Sequence, residues 1–324
     1  METVACDFCG SREASAVARQ TDILHRTTAE MFTIVRCADC GLQYTNPRPA
    51  PDEIGRYYAD TYSFHSAPAA LRRLVDDLLT AIANGPFYQL FALPGVSRRL
   101  AARVKPRIAD PVRRHLAPGA RRRLLDIGCG GGVSAHFWGE RGALLAYRAI
   151  AEVCGVEVDA GARQALAAVG IEAHASLDAV PADARFDLIR MNWSLEHVHS
   201  PTRYFDFIAE RLVTGGKAVI TIPNYDGLLY RVAPDCVEVP IHLYHFRRLD
   251  ILNYSRRAGL VEREFRSFSY PEMYVAAAAA CPSLAGSFDG GLGVVEARRM
   301  QKMLARFDAL GLGNDMLFVL EKAA

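Results

Sequence analysis

The 324-residue chain has no apolar run approaching the roughly 20 residues that a helix needs to cross a bilayer. Its first residues also lack the charged-then-apolar pattern of a secretory leader. Both absences argue against a membrane-spanning or exported protein, and cytoplasmic residence is the expectation. There is no internal repeat, which excludes solenoid and propeller architectures. Charge of one sign is scarce overall: 38 Lys and Arg face 36 Asp and Glu, a net charge of +2, with 51% hydrophobic and 23% charged residues. That balance excludes a disordered polyelectrolyte and describes an ordinary globular protein with a sizeable core. In a reducing compartment its eight cysteines are expected to be metal ligands, buried thiols or catalytic groups rather than disulfides.

Spacing separates four of those cysteines from the rest. Cys6 and Cys9 form one C-x-x-C pair and Cys37 and Cys40 a second, each followed by glycine in "CDFCG" and "CADCG". Two such turns converge four thiolates on one tetrahedral ion, and the glycines relieve the backbone just after each turn. The alternative, two separate redox motifs, needs a strand and helix context that this polar N-terminus lacks. A structural zinc ribbon over residues 1–50 is therefore expected, with metal ligands Cys6, Cys9, Cys37 and Cys40. A closed four-cysteine site leaves no open position, so the zinc is expected to fold the segment and not to catalyse.

Three prolines, Pro47, Pro49 and Pro51, break regular structure after the cysteines. From Leu71 to Leu116, apolar residues recur at helical spacing between further prolines, giving three or four short helices in a segment 51–120. This segment concentrates positive charge: between Ser66 and Arg123 stand twelve Lys or Arg and three Asp. Such a face is either solvated surface, a patch for a diphosphate-bearing substrate, or a contact for an anionic membrane surface. From Arg123 onward strands alternate with helices, the pattern of a doubly wound parallel sheet over 121–324. Strands are expected at Arg123 to Asp126, Val153 to Val158, Phe186 to Asn192 and Lys217 to Ile222. Helices are expected at Ala160 to Val169 and Pro201 to Leu212. Val261 to Phe268 and Asp315 to Leu320 read as an antiparallel closing pair, with a helical alanine run, Val275 to Ala280, between them.

The stretch "LLDIGCGGG", Leu124 to Gly132, ends the first of these strands in a glycine loop. A dinucleotide fingerprint starting at Gly128 requires glycine at position 133, where Val133 stands. With Asp126 two residues before the first glycine, the D-x-G-x-G pattern instead resembles motif I of class I S-adenosylmethionine (SAM)-dependent methyltransferases. The resemblance implies that Gly128 and Gly130 let the backbone approach the cofactor and that Asp126 helps hold its ammonium. Glu157 in "VCGVEVD" then fits the acid that accepts the ribose hydroxyls, with Asp159 a second candidate. Glu157 lies 31 residues after Asp126, some eight more than this family implies, and the surplus falls in "ALLAYRAIA". "RFDLIRMNWSLEHVHSP" resembles the fourth strand and its turn, which implies that Asn192 and Trp193 contact the methionine part of SAM. In "HASLDAV", Ser176 stands where relatives carry an acid near adenine. "LVTGGKAVITIPN" resembles the turn and fifth strand. The fold implied is the Rossmann-like α/β class I methyltransferase fold: a seven-stranded, mostly parallel sheet with an antiparallel last strand, here joined to the zinc ribbon and the helical segment.

A methyl group on a sulfonium needs alignment with its nucleophile and removal of the nucleophile's proton. Histidine is the usual base near neutral pH. In "EVPIHLYHFRR", His242 and His245 share a face if the segment is helical and oppose each other if it is a strand. They are the candidate catalytic residues; as a metal pair they have no third ligand identifiable in the sequence. His197, in the L-E-H-V stretch, reads as structural or as a pocket wall. Tyr58, Tyr62 and His65 form an aromatic cluster, and similar tyrosines in related methyltransferases reach over the cofactor, so Tyr62 is included among the cofactor residues.

"CDFCG" and "RCADCGLQYTNPRP" ahead of a SAM domain resemble the zinc-binding N-terminus found among sugar methyltransferases of polysaccharide and antibiotic pathways. This implies a small-molecule acceptor, a hydroxyl or carbon of a sugar, nucleotide sugar or glycosylated natural product, whose phosphates the basic segment would meet. The competing reading is RNA modification or binding. Against it, the ribbon is not basic and no recognisable nucleic-acid module interleaves Lys and Arg with aromatics. No nucleic-acid partner is expected, and nothing in the pattern fixes an oligomeric state.

Overall fold

The computed structural model describes residues 1–58, 111–116, 122–130, 150–288 and 291–323, with residues 144, 147 and 148. Tyr62, His65, Gly131 to Val133, four residues of "ALLAYRAIA" and nearly all of the Arg-rich stretch lie outside these residues. The chain forms two compact units: Met1–Asp60 with Trp193–Asp206 and Ile220–Leu320, and Thr61–Asn192 with Phe207–Val219 and Glu321–Ala324.

In the first unit, β1 (Ala14–Gln20), β2 (Phe32–Cys37) and β3 (Gln43–Thr45) make a three-stranded antiparallel sheet in the order β1-β2-β3. Phe32, Ile34 and Cys37 of β2 are buried, while Arg36 between them points to solvent. The stretch after the prolines forms one 3-10 turn, Ile54–Tyr57.

The second sheet has seven strands in the order β6-β5-β4-β7-β8-β10-β9 and is mostly parallel with an antiparallel last strand. The strands are β4 (Arg122–Ile127), β5 (Ala151–Val156), β6 (Glu172–His174), β7 (Phe186–Asn192), β8 (Leu212–Pro223), β9 (Leu260–Phe268) and β10 (Asp315–Lys322). The β4–β5, β4–β7 and β5–β6 pairs are parallel. Leu124, Leu125 and Ile127 of β4 and Leu188, Ile189 and Met191 of β7 are all buried, as central parallel strands covered on both faces must be. β10, last in sequence, sits between β8 and β9, so the order departs from a simple doubly wound sheet only at that edge.

The described helices are α1 (Pro111–His115), α2 (Ala160–Ala167), α3 (Pro201–Arg211), α4 (Leu228–Val232), α5 (Arg248–Arg257), α6 (Pro271–Ala280) and α7 (Val294–Ala309). The alanine run is thus helical, inside α6. Leu229 and Ala233 pack with Tyr274, Ala277 and Leu304 around Cys236 and Cys281. These two cysteines form a disulfide with Cα atoms 5.6 Å apart. That corrects the expectation of unpaired thiols: 45 residues separate the partners, and α6 brings Cys281 to Cys236 in a way that no local spacing announces.

Candidate functional site

β4 ends in the glycine loop because Gly128 and Gly130 adopt φ of 74° and 58°, a left-handed conformation that costs glycine little. Glu157 fastens the loop from the end of β5. One of its carboxylate oxygens accepts the Gly130 N–H at 2.8 Å, and the other accepts the Asp159 N–H at 2.9 Å. A carboxylate has about four acceptor sites, so Glu157 retains acceptor capacity for hydroxyl donors. Asp159 is engaged otherwise: its side chain caps α2, accepting from Ala162 N at 2.6 Å. The loop lies so close to β5 that a Cβ on Gly155 would stand 2.4 Å from Cys129 Sγ, which explains the glycine inside that strand.

Asp126 is buried and faces Arg190 across the β4–β7 register. Arg190 Nη1 donates to its carboxylate at 2.7 Å, and the guanidinium lies over the Tyr147 ring. Arg190 therefore neutralises the acid that the sequence offers to the cofactor. Nothing in the sequence flagged it beyond a cation inside an apolar strand.

Asn192 closes β7, and Trp193 follows with φ of 48°, an uncommon conformation for a bulky residue that costs of order 1–3 kcal/mol. Two hydrogen bonds hold it there: Trp193 N–H to Thr221 O at 2.8 Å, and the indole N–H to Asp315 at 3.0 Å. Burial pushes the Asp315 carboxyl up to about 7, although the indole hydrogen bond favours its charged form.

In the first unit the histidine segment is neither helix nor regular strand. Tyr244 bridges Tyr44 of β3, Leu243 O accepts from Thr45 N at 2.9 Å, and Glu196 O accepts from Leu243 N at 2.8 Å. Both His242 and His245 then meet Tyr225. Its hydroxyl lies 3.0 Å from His242 Nδ1, and its ring packs edge-on to His245 with centroids 4.8 Å apart. Thr45 Oγ1 donates its single proton to His242 O at 3.1 Å, so at 3.0 Å it accepts from His245 Nε2–H. His245 Nδ1 is then the unprotonated nitrogen, buried and without a hydrogen-bond partner among the described residues. Burial, and secondarily His242, lowers the His245 pKa to about 3, so the ring is neutral at physiological pH.

His197 belongs to the same cluster. Its ring meets that of His242 edge-on at 4.6 Å, and its Nδ1 faces Ile241 O at 3.0 Å and the Tyr58 hydroxyl at 3.2 Å. Glu238, which the sequence reading missed, sits 3.0 Å from His25 Nε2 and 3.7 Å from His242 Nε2. Burial would raise the Glu238 pKa, but His242 and His25 outweigh it and hold the carboxyl at about 2.

The four N-terminal cysteines converge as their spacing implied. Cys6 Sγ lies 3.5 Å from Cys40 Sγ and Cys9 Sγ 3.5 Å from Cys37 Sγ, and all four lie within 4.8 Å of one another. Sulfurs around zinc at bonds of about 2.3 Å stand roughly 3.8 Å apart, so the set could hold the ion. Gly10 and Gly41 adopt φ of 76° and 77°, and their N–H groups return to Cys6 O and Cys37 O. Asp7, inside the first turn, accepts from Ser200 Oγ, Thr202 N and Tyr254 Oη at 2.7, 2.8 and 2.9 Å, which fixes the turn to α3 and α5.

A family model described as a methyltransferase domain matches residues 99–264. The chain belongs to this methyltransferase family. The domain is that of the class I, SAM-dependent methyltransferases. The methyltransferase is 26% identical over 167 residues to the ubiquinone biosynthesis O-methyltransferase of Alkalilimnicola ehrlichii, covering 46% of this chain and 64% of that protein. It therefore spans just under two thirds of that relative's length. Among solved structures it is similar to a SAM-dependent methyltransferase from Archaeoglobus fulgidus, with TM-score 0.45, 18% identity, 73% of this chain and 98% of the other. It is also similar to one from Mesorhizobium loti, with TM-score 0.42, 20% identity, 65% of this chain and 96% of the other. Among the described residues no helix is long and apolar enough to cross a membrane.

Proposed function

We propose that the protein transfers a methyl group from SAM to a hydroxyl or carbon of a small molecule, a sugar, nucleotide sugar or glycosylated natural product. The observation that carries this reading is the latch between Glu157 and Gly130. It shapes the loop after β4 and leaves carboxylate lone pairs for ribose hydroxyls at the carboxyl ends of β4 and β5, the edge at which open α/β sheets bind ligands. Gly128 and Gly130 admit the cofactor, Asp126 offers a carboxylate to its ammonium, and Asn192 and Trp193 line the methionine part; Tyr62 completes the set. Bound SAM supplies a methyl group on a positively charged sulfur. The protein's remaining task is to remove a proton from the acceptor, and His245 Nδ1, which holds a free lone pair, is assigned that role, with His242 beside it. The O-methyltransferase relative supports an oxygen acceptor. Cys6, Cys9, Cys37 and Cys40 hold a structural zinc ion, and the protein works in the cytoplasm.

The test is a transfer screen with isotopically labelled SAM against nucleotide sugars, sugar lipids and RNA, read by mass spectrometry. Label in a nucleotide sugar or sugar lipid is the expected result. Label in RNA alone would replace this reading with RNA modification.

A further inference from the structure

Outside the cofactor loop and the four-cysteine site, several buried polar atoms among the described residues lack a hydrogen-bond partner, and Glu196 is the side chain that lacks one on two atoms. Glu196 is buried to 1% exposure, and neither carboxylate oxygen has a hydrogen-bond partner among the described residues. An unmatched buried carboxylate costs several kcal/mol unless a proton or cation meets it. Its neighbours are acceptors. His197 Nδ1 faces the Ile241 carbonyl, which can only accept, so the ring proton is on Nδ1 and the Nε2 lone pair looks toward Glu196 Oε1 at 4.0 Å. His242 Nδ1 is taken by the Tyr225 hydroxyl, which leaves its Nε2 free on the side of the cluster where Glu238 Oε2 stands 3.7 Å away.

We infer that Glu196, His197 and His242 form a binding site for a divalent cation of the first transition series, separate from the cysteine site. One ligand atom from each of the three lies within 4.8 Å of the others. Opposite ligands at bonds of about 2.1 Å are some 4.2 Å apart, so a small rotation of buried side chains closes the set. Two imidazoles and a carboxylate suit Mn2+, Fe2+, Co2+ or Zn2+, whereas the four thiolates of the other site favour Zn2+. The surroundings have the form of metal-site supports: a carbonyl fixes the His197 ring, a tyrosine fixes His242, and Glu238 adds negative charge while it is held by His25. Glu196 and His197 are adjacent on the 3-10 turn Leu195–His197, and the Glu196 carbonyl accepts from Leu243 and Tyr244, which fixes the His242 segment against that turn. This inference concerns cation binding alone and does not depend on the acceptor proposed above.

The test titrates the full-length, zinc-loaded protein with Mn2+, followed by electron paramagnetic resonance of the free ion, and repeats the titration with Co2+ by absorption. Mn2+ disfavours a thiolate site, and thiolate-bound Co2+ shows a charge-transfer band that nitrogen and oxygen ligands do not give. The expected result is one saturable equivalent of Mn2+ per chain and Co2+ binding without that band. Affinity should fall at least tenfold in Glu196→Gln and in His197→Gln. Unfolding midpoints identify any variant that fails to fold, and a folded Glu196→Gln alone suffices. No saturable binding of either ion, or equal affinity in a folded Glu196→Gln, would overturn the inference; a proton shared between Glu196 and His197 would then account for the geometry.

Discussion

Asp126, Asp315 and Glu196 are among the buried acids that stand at the ends of strands or just beyond them, and each of the three is met differently. Asp126 faces a guanidinium at 2.7 Å, Asp315 receives a neutral indole N–H at 3.0 Å, and Glu196 meets no donor among the described residues. The Arg190 guanidinium fixes the orientation of the Asp126 carboxylate. Asp315, compensated only by a dipole, rises to about 7, and burial raises the Glu196 pKa well above the ordinary carboxylate range. The series shows which acid belongs to a pre-formed scaffold and which is placed to take up a proton or a cation.

The comparison breaks first at Arg190. Arg190→Leu strips Asp126 of its cation and should cost about 3–5 kcal/mol of stability, measured by denaturant unfolding. A loss below 1 kcal/mol would mean that the pair is not what holds Asp126. Next in size, His245→Ala should lower turnover by roughly 10²–10⁴-fold while SAM affinity stays within about twofold, the signature of a lost proton acceptor. Wild-type turnover in that variant would remove His245 as the base.

Asp315 sharpens the middle of the series. Its folded pKa of about 7 lies above the ordinary 3.8. The folded state therefore binds the extra proton, and the stabilisation is complete below about pH 4 and lost as pH rises through 7. Glu238 and Asp308 oppose its charge in the same direction. Asp315→Asn keeps an acceptor for Trp193, so it should gain on the wild type by a few kcal/mol between pH 4 and pH 8, at about 1.4 kcal/mol per pKa unit. Parallel stability curves would contradict this. The smallest effect is expected for Glu196→Gln in protein freed of added cations. Replacing a buried carboxyl with no hydrogen-bond partner among the described residues should leave stability unchanged or raise it by about 1 kcal/mol, and a loss above about 2 kcal/mol would show a hidden partner.

Much of this was legible in the chain, for physical reasons that differ by region. The β4, β7 and β8 strands announce themselves because their central residues, such as Leu124 and Leu125, Leu188 and Ile189, and Val219 and Ile220, are apolar on both faces. The four cysteines are legible because each turn carries two ligands in four residues and a glycine that the left-handed backbone requires. Glu157 could be read despite its eight surplus residues because it ends the strand next to the loop. What sequence could not show is assembly across distance. Arg190 reads as an anomaly until register sets it opposite Asp126. The histidine cluster draws on positions from His25 to His245, and its carboxylate, Glu196, stands 46 residues before His242 in the L-E-H-V stretch. The disulfide partners Cys236 and Cys281 are likewise joined only by helix packing.

The central claim is that the loop from Asp126 to Gly130 holds the methyl donor. Calorimetric titration of SAM into the wild type and into Gly130→Val tests it most directly, with NAD as the competing ligand. A Val side chain at φ of 58° intrudes where the cofactor must pass and disturbs the N–H that Glu157 holds. The expected result is one SAM bound per wild-type chain, no NAD bound, and at least a hundredfold weaker SAM binding in a folded Gly130→Val. Unchanged SAM affinity in that variant, or binding of NAD in place of SAM, would contradict the account.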